Sequence, residues 1–238
     1  DVLKNVSMTF PEKGMTAIVG ESGCGKSTVV NMLIGAYRPK AGIVAVGGKP
    51  LESVTRESYY SHIASVSYNT YIFNDTVRAN FELAKKNATD EEIWAALAAV
   101  NLADFIKENG GLDKVITEDA NNVSGGQKQR LALAVNLVAD KDIYVFDEAT
   151  SNIDIESEAI IMDNIKAMSK NKSVIVISHR LANVVPADNI YYMEEGEVKE
   201  HGSHAQLMSA QGGYAKLYTA QKQLEEGYKE ITGAEVKA

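Results

Sequence analysis

Short apolar runs alternate with amphipathic stretches along most of the chain. The segments MTAIVG (15–20), IASVS (63–67), DIYVFDEAT (142–150) and KSVIVISHR (172–180) have apolar centres too short for helices, and they predict buried strands. The stretch IESEAIIMDNIKAMSK (155–170) instead spaces its apolar residues three and four positions apart, which predicts a helix with one buried face. Buried strands separated by helices favour a mostly parallel sheet covered on both faces, and so an α/β fold.

Other segments do not follow this succession of buried strands and helices. VLKNVSMTF (2–10) alternates polar and apolar residues and predicts an opening strand, and GIVAVGG (42–48) predicts a hairpin strand. From about residue 69 to 139 the pattern becomes helical, with a capping box predicted at Thr89 and Glu92. We therefore predict a helical subdomain inserted into the α/β core.

The C-terminal part predicts a small hairpin followed by helices. The hairpin falls at NIYYMEEGEVKEHG (189–202), and the last residues form a charged, mixed-sign stretch. We predict one domain over residues 1–222 and a C-terminal helical tail over residues 223–238.

Composition narrows the class of protein. With 238 residues, 45% of them hydrophobic and 24% charged, the chain is long enough for a sizeable core. A net charge of −8 argues against a nucleic-acid partner, and the single cysteine excludes an intrachain disulfide. The chain opens in a strand-like pattern without methionine, so we expect it to be part of a longer polypeptide.

A phosphate-binding loop is predicted between the first buried strand and the helix after it. GESGCGKS matches the pattern G-x-x-x-x-G-K-[ST] in this strand–loop–helix context. Glycines let backbone N–H groups turn toward phosphate oxygens, and the helix N-terminus adds partial positive charge. We expect Lys26 to reach the β- and γ-phosphates and Ser27 to bind Mg²⁺. The predicted ATP-binding residues here are Gly20, Glu21, Ser22, Gly23, Cys24, Gly25, Lys26, Ser27 and Thr28.

A pair of carboxylates follows the strand IYVFD. Asp147 and Glu148 lie at its C-terminal end, where parallel sheets present residues to a ligand crevice. We predict that Asp147 holds Mg²⁺ through its water shell and that Glu148 deprotonates the attacking water.

A second glycine-rich motif, NVSGGQKQR (122–130), contains no lysine at the position that binds phosphate. Ser124 and Gln127 have the spacing of a capping box at the start of a helix, which favours an anion near that helix end.

Together these motifs resemble the ATP-binding cassette (ABC) family, in order and over nearly the whole chain. GESGCGKST resembles its P-loop, NVSGGQKQR its signature, IYVFDE its magnesium strand, SNID (151–154) its D-loop, and SHR its switch histidine, His179. The resemblance implies a P-loop NTPase core with an antiparallel β subdomain. It also implies that two such domains pair, so that the signature of one, Ser124, Gly125, Gly126 and Gln127, covers ATP held by the P-loop of the other. His179 is then expected to contact the γ-phosphate, and Asp154 to communicate across the dimer.

Details such as DEATSNID and SHRL resemble the exporter branch of the family. That resemblance implies an ATPase that is coupled to a transmembrane domain of the same or a partner polypeptide, at the cytoplasmic face of the cell membrane. The second ABC domain can be identical or different. Two other functions stay open: a soluble ABC-type switch in DNA repair or translation, and a nucleotide-binding scaffold impaired in hydrolysis.

The chain departs from the family pattern at Tyr68. The family usually has a glutamine there, which touches Mg²⁺, and a phenol is a poor substitute for an amide oxygen. Either the metal keeps an extra water or Asn69 adjusts. The family's adenine-stacking aromatic normally precedes the first strand seen here, so we expect it upstream of Asp1.

Overall fold

A six-stranded sheet forms the centre of the protein. The structure, a computed structural model, describes residues 2–68, 71–117 and 122–235, with side chains as far as residue 227. The strands are β1 (Gly14–Gly20), β2 (Ala45–Val46), β3 (Lys49–Pro50), β4 (Ile63–Ser67), β5 (Ile143–Asp147), β6 (Ser173–Ile177), β7 (Asn189–Glu194) and β8 (Glu197–Gly202). The order in the large sheet is β4-β5-β6-β1-β7-β8, and only the β7–β8 pair in it is antiparallel. This topology confirms the predicted α/β fold with a mostly parallel sheet.

Helices cover both faces of this sheet. They are α1 (Lys26–Leu33), α2 (Arg56–His62), α3 (Val77–Ala84), α4 (Asp90–Ala99), α5 (Ala103–Glu108), α6 (Gly125–Val138), α7 (Ile155–Met168), α8 (His204–Ala210) and α9 (Gly213–Glu235). Side chains alternate between the faces of β1: Ala17 and Val19 enter the larger hydrophobic cluster, and Ile18 enters a smaller one beneath α1 and α2. The sheet is therefore buried on both sides, as its apolar runs predict.

The helices α3 to α6 lie in the region where the helical insertion is predicted. The capping box at the start of α4 is confirmed, because Thr89 Oγ1 accepts from Glu92 N–H and the Glu92 carboxylate accepts from Thr89 N–H. At the C-terminus, α9 is continuous from Gly213 to Glu235, so the predicted boundary between residues 222 and 223 falls inside one helix.

The prediction of a strand over residues 2–10 is wrong. Leu3, Met8 and Phe10 do pack on the smaller cluster, as alternation implies. However, Asn5 has a φ of 51°, which interrupts the extended backbone that a strand requires. The segment is instead attached by individual hydrogen bonds, such as the one from Lys4 N–H to the carbonyl of Gly196.

Both predicted hairpins are present, the first in a reduced form. In the segment 42–48 only Ala45 and Val46 pair, with Pro50 and Lys49 across a two-residue glycine turn. The β7–β8 hairpin is confirmed at full length.

The pairing register of the strands places the segments with the predicted site residues at one edge of the sheet. Asp147, the last residue of β5, pairs with Ser67 of β4 on one side and with Ile177 of β6 on the other. Ile177 also pairs with Ile18 of β1. Because these strands are parallel, the loops that follow all four of them emerge at the same edge.

Candidate functional site

The loop after β1 is shaped by its glycines. Gly20 has a φ of 149°, and a Cβ there would lie 2.2 Å from the carbonyl oxygen of Met193. Gly25 precedes α1 with a φ of 110°, and a Cβ there would lie 2.6 Å from Leu3. A side chain at either position would therefore collide with the structure, and the tight turn depends on glycine.

Lys26 is folded into this loop. Its ammonium group donates to the carbonyls of Gly20 at 2.7 Å and Glu21 at 2.8 Å, and the residue is only 6% exposed. Both carbonyls are neutral, so these two bonds hold the ammonium group in place without cancelling its charge. A fixed, desolvated ammonium in a turn of backbone N–H groups is suited to bind a phosphate.

Asp147, the last residue of β5, is followed directly by a second carboxylate, Glu148. Burial raises the pKa of the Asp147 carboxyl above its ordinary value; the charge of Glu148 raises that pKa further, while Lys26 and His179 oppose the shift. Two adjacent carboxylates offer hard oxygen donors, and this donor set fits a hard cation such as Mg²⁺.

Glu148 has an unusual backbone conformation. Its φ is 53°, in the left-handed region that costs a non-glycine residue free energy, and its N–H donates to the carbonyl of Ile177 at 2.9 Å. Its Oε1 lies 2.6 Å from Nε2 of His179, which follows β6. The structure thus brings the predicted base and the predicted γ-phosphate contact together.

An open cleft of about 180 Å³ connects Lys26, Glu148 and His179. It is lined by Val2, Ser22, Gly23, Gly25, Lys26, Ser27, Thr28, Glu148 and His179. Among the described residues that line it there is none from Ser124 to Gln127. The cleft has the composition of a triphosphate site, with backbone N–H groups, one cation, three hydroxyls, a carboxylate and an imidazole.

The second glycine-rich motif begins α6 elsewhere on the surface. The predicted capping box is confirmed: Ser124 Oγ accepts from Gln127 N–H at 3.2 Å, and Gln127 Oε1 accepts from Ser124 N–H at 2.8 Å. Ser124 and Gly125 are exposed, and a side chain at Gly125 would meet nothing within 4 Å. The end of this helix is therefore accessible to an outside molecule.

Asp154 has a local function that its predicted role did not include. Its Oδ1 accepts from Ser157 N–H at 2.8 Å and caps α7, and this hydrogen bond lowers the pKa of the Asp154 carboxyl. The sequence signal for this cap is an Asp directly before an amphipathic helix.

Tyr68 lies in the turn after β4 and is 56% exposed. Tyr71 and Phe73 are also exposed, and their rings pack edge to face at 5.0 Å. Asn69, the alternative metal contact, lies outside the described residues.

Two buried polar residues beside the site are absent from the sequence-based set. Gln129 of α6 bonds to the backbone of Glu148 and Ala149, and Glu158 of α7 bonds to Thr150 and Arg180. Each is a polar residue at a position that the helical periodicity assigns to the buried, apolar face of its helix. That position is the sequence feature that points to both residues.

No helix in the described ranges 2–68, 71–117 and 122–235 is long and apolar enough to cross a bilayer.

Comparisons with known proteins agree with the geometry. The family profile described as ABC transporter matches residues 3–151. An uncharacterized ABC transporter ATP-binding protein of Haemophilus influenzae is 45% identical over 224 residues, which cover 94% of this chain and 40% of that protein. An ATP-dependent lipid A-core flippase of Haemophilus ducreyi is 40% identical over 92% of this chain and 38% of its own length.

A solved structure supports the same assignment. A bacterial Atm1-family ABC exporter with ATP bound superposes with a TM-score of 0.88 at 33% identity, over 92% of this chain and 39% of the exporter chain. This chain therefore spans about two fifths of the length of these relatives. These similarities favour the exporter branch over a switch in DNA repair or translation. The chain belongs to the ABC transporter family, as a nucleotide-binding domain homologous to the ATPase domains of exporters.

Proposed function

We propose that this chain hydrolyses ATP in a site shared with a second ABC domain, and that hydrolysis powers transport through a transmembrane domain. The observation that carries the proposal is the separation of two complementary surfaces. The cleft holds Lys26, Glu148 and His179, whereas the capped helix start at Ser124 is exposed and lies outside that cleft. A second domain placed head to tail would bring its own helix start over the cleft.

Binding is assigned to the loop after β1. The backbone of residues 20–25 surrounds the phosphates, and Lys26 exchanges its carbonyl partners for β- and γ-phosphate oxygens. Thr28 lines the same cleft. The Ser27 hydroxyl and the Asp147 carboxylate would hold Mg²⁺, which supplies neutralisation of phosphate charge when bound.

Hydrolysis is assigned to Glu148 and His179. Glu148 accepts a proton from water as the water oxygen bonds to the γ-phosphorus and the bond from that phosphorus to the ADP oxygen breaks. In the present structure His179 Nε2 is 2.6 Å from this carboxylate. His179 has to move to the γ-phosphate to leave the carboxylate available to the water. Asp154 is proposed to contact the opposite subunit while its Oδ1 caps α7.

The larger assembly is proposed from the relatives. Because they are longer than this chain, we propose a transmembrane domain in the same or a partner polypeptide, with this domain at the cytoplasmic face of the cell membrane. The division into residues 1–222 and 223–238, with a helical subdomain near 69–139, is part of this proposal. A net charge of −8 argues against nucleic acid as the partner.

The test is Glu148→Gln, measured by phosphate release and by gel filtration with ATP. Removal of one preorganised transition-state contact costs about 3–4 kcal/mol, so turnover should fall by about 10²–10³-fold while an ATP-dependent dimer accumulates. Glu12→Gln, at an exposed carboxylate in the turn before β1, is the matched control and should keep native turnover. Native hydrolysis by Glu148→Gln would overturn the assignment.

One alternative is favoured by Tyr68, which takes the usual glutamine position. A nucleotide-binding scaffold without hydrolysis would bind ATP with no phosphate release from the native chain. The same assay therefore separates the two functions.

A further inference from the structure

Gln129 joins the glycine-rich helix α6 to the backbone of the catalytic carboxylate. We propose that Gln129 is a positioning residue that fixes Glu148 of its own chain and so couples the helix end offered to a partner with the catalytic centre behind it. This inference rests on the proposed function, because it assumes that Glu148 acts on water.

The Gln129 side chain makes three hydrogen bonds. It is 5% exposed, and its Nε2 donates to the carbonyls of Ala149 at 2.6 Å and of Glu148 at 3.3 Å. Its Oε1 accepts from Asn152 N–H at 3.1 Å. One buried amide therefore holds the chain at three points directly after β5, and loss of such bonds inside a protein is costly.

Glu148 needs this support because its backbone is strained. With a φ of 53° it departs from the conformation that a non-glycine residue prefers. On its amino side, Glu148 N–H is held by the carbonyl of Ile177 at 2.9 Å. On its carboxyl side, the Glu148 carbonyl accepts from Ser151 N–H at 3.2 Å and from Gln129 Nε2 at 3.3 Å, so Gln129 adds a restraint from outside the turn.

The start of α6 also packs against the same segment. A Cβ at Gly126 would lie 3.0 Å from the carbonyl oxygen of Asn152. Asn152 is the residue whose N–H is bound by Gln129. A shift of α6 therefore moves the segment 148–152 through two contacts, and both lie within one chain.

The consequence is a connection between two half-sites. Ser124 and Gly125 at the tip of α6 are proposed to cover the partner's ATP, whereas Glu148 acts on ATP in its own cleft. Docking of the tip on the partner's ATP is thus transmitted through Gln129 to the catalytic carboxylate of the other half-site.

The test uses the intact chain in a mixture of two variants, neither of which can hydrolyse ATP by itself. Chain X carries Gly125→Asp, whose carboxylate repels phosphate at a position where a Cβ meets nothing within 4 Å. Chain Y carries Lys26→Ala, which removes the P-loop cation. Only the X–Y dimer contains a complete site, formed by the P-loop and Glu148 of X with the α6 tip of Y.

Gln129→Met is then introduced into X or into Y, because methionine has a similar volume without hydrogen-bonding groups. In X we expect kcat of the mixture to fall about tenfold, with KM for ATP changed less than about twofold. In Y, whose own Glu148 is idle, the expected loss is less than about twofold. Asn136→Leu in X is the control from the same helix: it removes the half-buried Asn136 amide, whose Nδ2 donates to the Ala132 carbonyl within α6, and should leave kcat unchanged.

Two other outcomes would refute the proposal, each at a different step. Equal losses in X and Y, or a larger loss in Y, would show that Gln129 acts through helix stability or through the tip, and would refute the positioning role. If X and Y without further changes restore no hydrolysis, the shared site itself fails, and this inference fails with it.

Discussion

The carboxylate of Glu158, in α7, connects the two loops that carry the proposed catalytic residues Glu148 and His179. It is 4% exposed; its Oε1 accepts from Thr150 Oγ1 at 2.7 Å and from Asn183 Nδ2 at 2.8 Å, and its Oε2 pairs with Arg180. Thr150 lies two residues after Glu148, and Arg180 directly follows His179. We predict that Glu158→Gln lowers both the stability of the protein and its ATPase rate.

The expected loss of stability follows from the three groups that donate to the Glu158 carboxylate. Glutamine has one oxygen, which can still accept from Thr150 and Asn183, but its amide nitrogen then faces the Arg180 guanidinium. The lost bond is charge-assisted and worth about 1.5–3 kcal/mol. The Arg180 side chain is 40% exposed and can turn to water, so the loss stays below the roughly 3–5 kcal/mol of a fully buried broken pair. We expect a decrease of about 2 kcal/mol in the free energy of unfolding.

Urea unfolding with a constant m value measures this change, and phosphate release measures the rate. The control is Glu226→Gln on α9, where Lys222 Nζ lies 3.8 Å from the carboxylate and both side chains are 62% exposed. Such a surface pair is worth about 0.5 kcal/mol or less. If Glu158→Gln changes stability no more than this control does, the connecting role of the carboxylate is refuted.

Two further predictions concern the metal and the residue at the usual glutamine position. Without Mg²⁺, Asp147→Asn should raise the melting temperature at pH 7. The pKa of Asp147 is raised in the folded state, so its charged form destabilises the folded protein at this pH. The increase should vanish below about pH 3.8, where the carboxyl is protonated in both the folded and the unfolded state. A melting temperature that does not depend on this substitution at either pH would contradict the argument. Tyr68→Gln should raise Mg²⁺-dependent phosphate release, since an amide oxygen is a better metal partner than the phenol. Tyr60→Gln, at another exposed tyrosine, is its control. Equal rates of phosphate release in the two variants would show that Tyr68 does not limit turnover.

The sequence predicts the part of the fold that local rules determine. The buried strands β1, β5 and β6 follow from their apolar runs, and the caps at Thr89 and Ser124 follow from residue types three positions apart. Parallel pairing then places residues after these strands at one edge, as the structure shows for Asp147 and Ile177.

Other features depend on contacts between distant segments. The strand predicted over residues 2–10 fails at the single left-handed residue Asn5, because alternation describes side-chain burial but not backbone pairing. The bonds from Lys26 to its own loop and the 2.6 Å approach of His179 to Glu148 depend on how the loops fold after the sheet has formed. No spacing rule contains that information.

Buried polar residues fall between these two cases. Glu158 is in register with Ile161, Met162 and Ile165 on α7, so periodicity alone predicts a carboxylate on a buried face. A buried charge requires partners, so the same reasoning predicts that donors exist. Their identity is not predictable, because they come from two loops eight and more residues away. A polar residue at a position that periodicity assigns to the buried face of a helix therefore predicts a contact that supports a functional site. Substitution of such residues tests that rule directly.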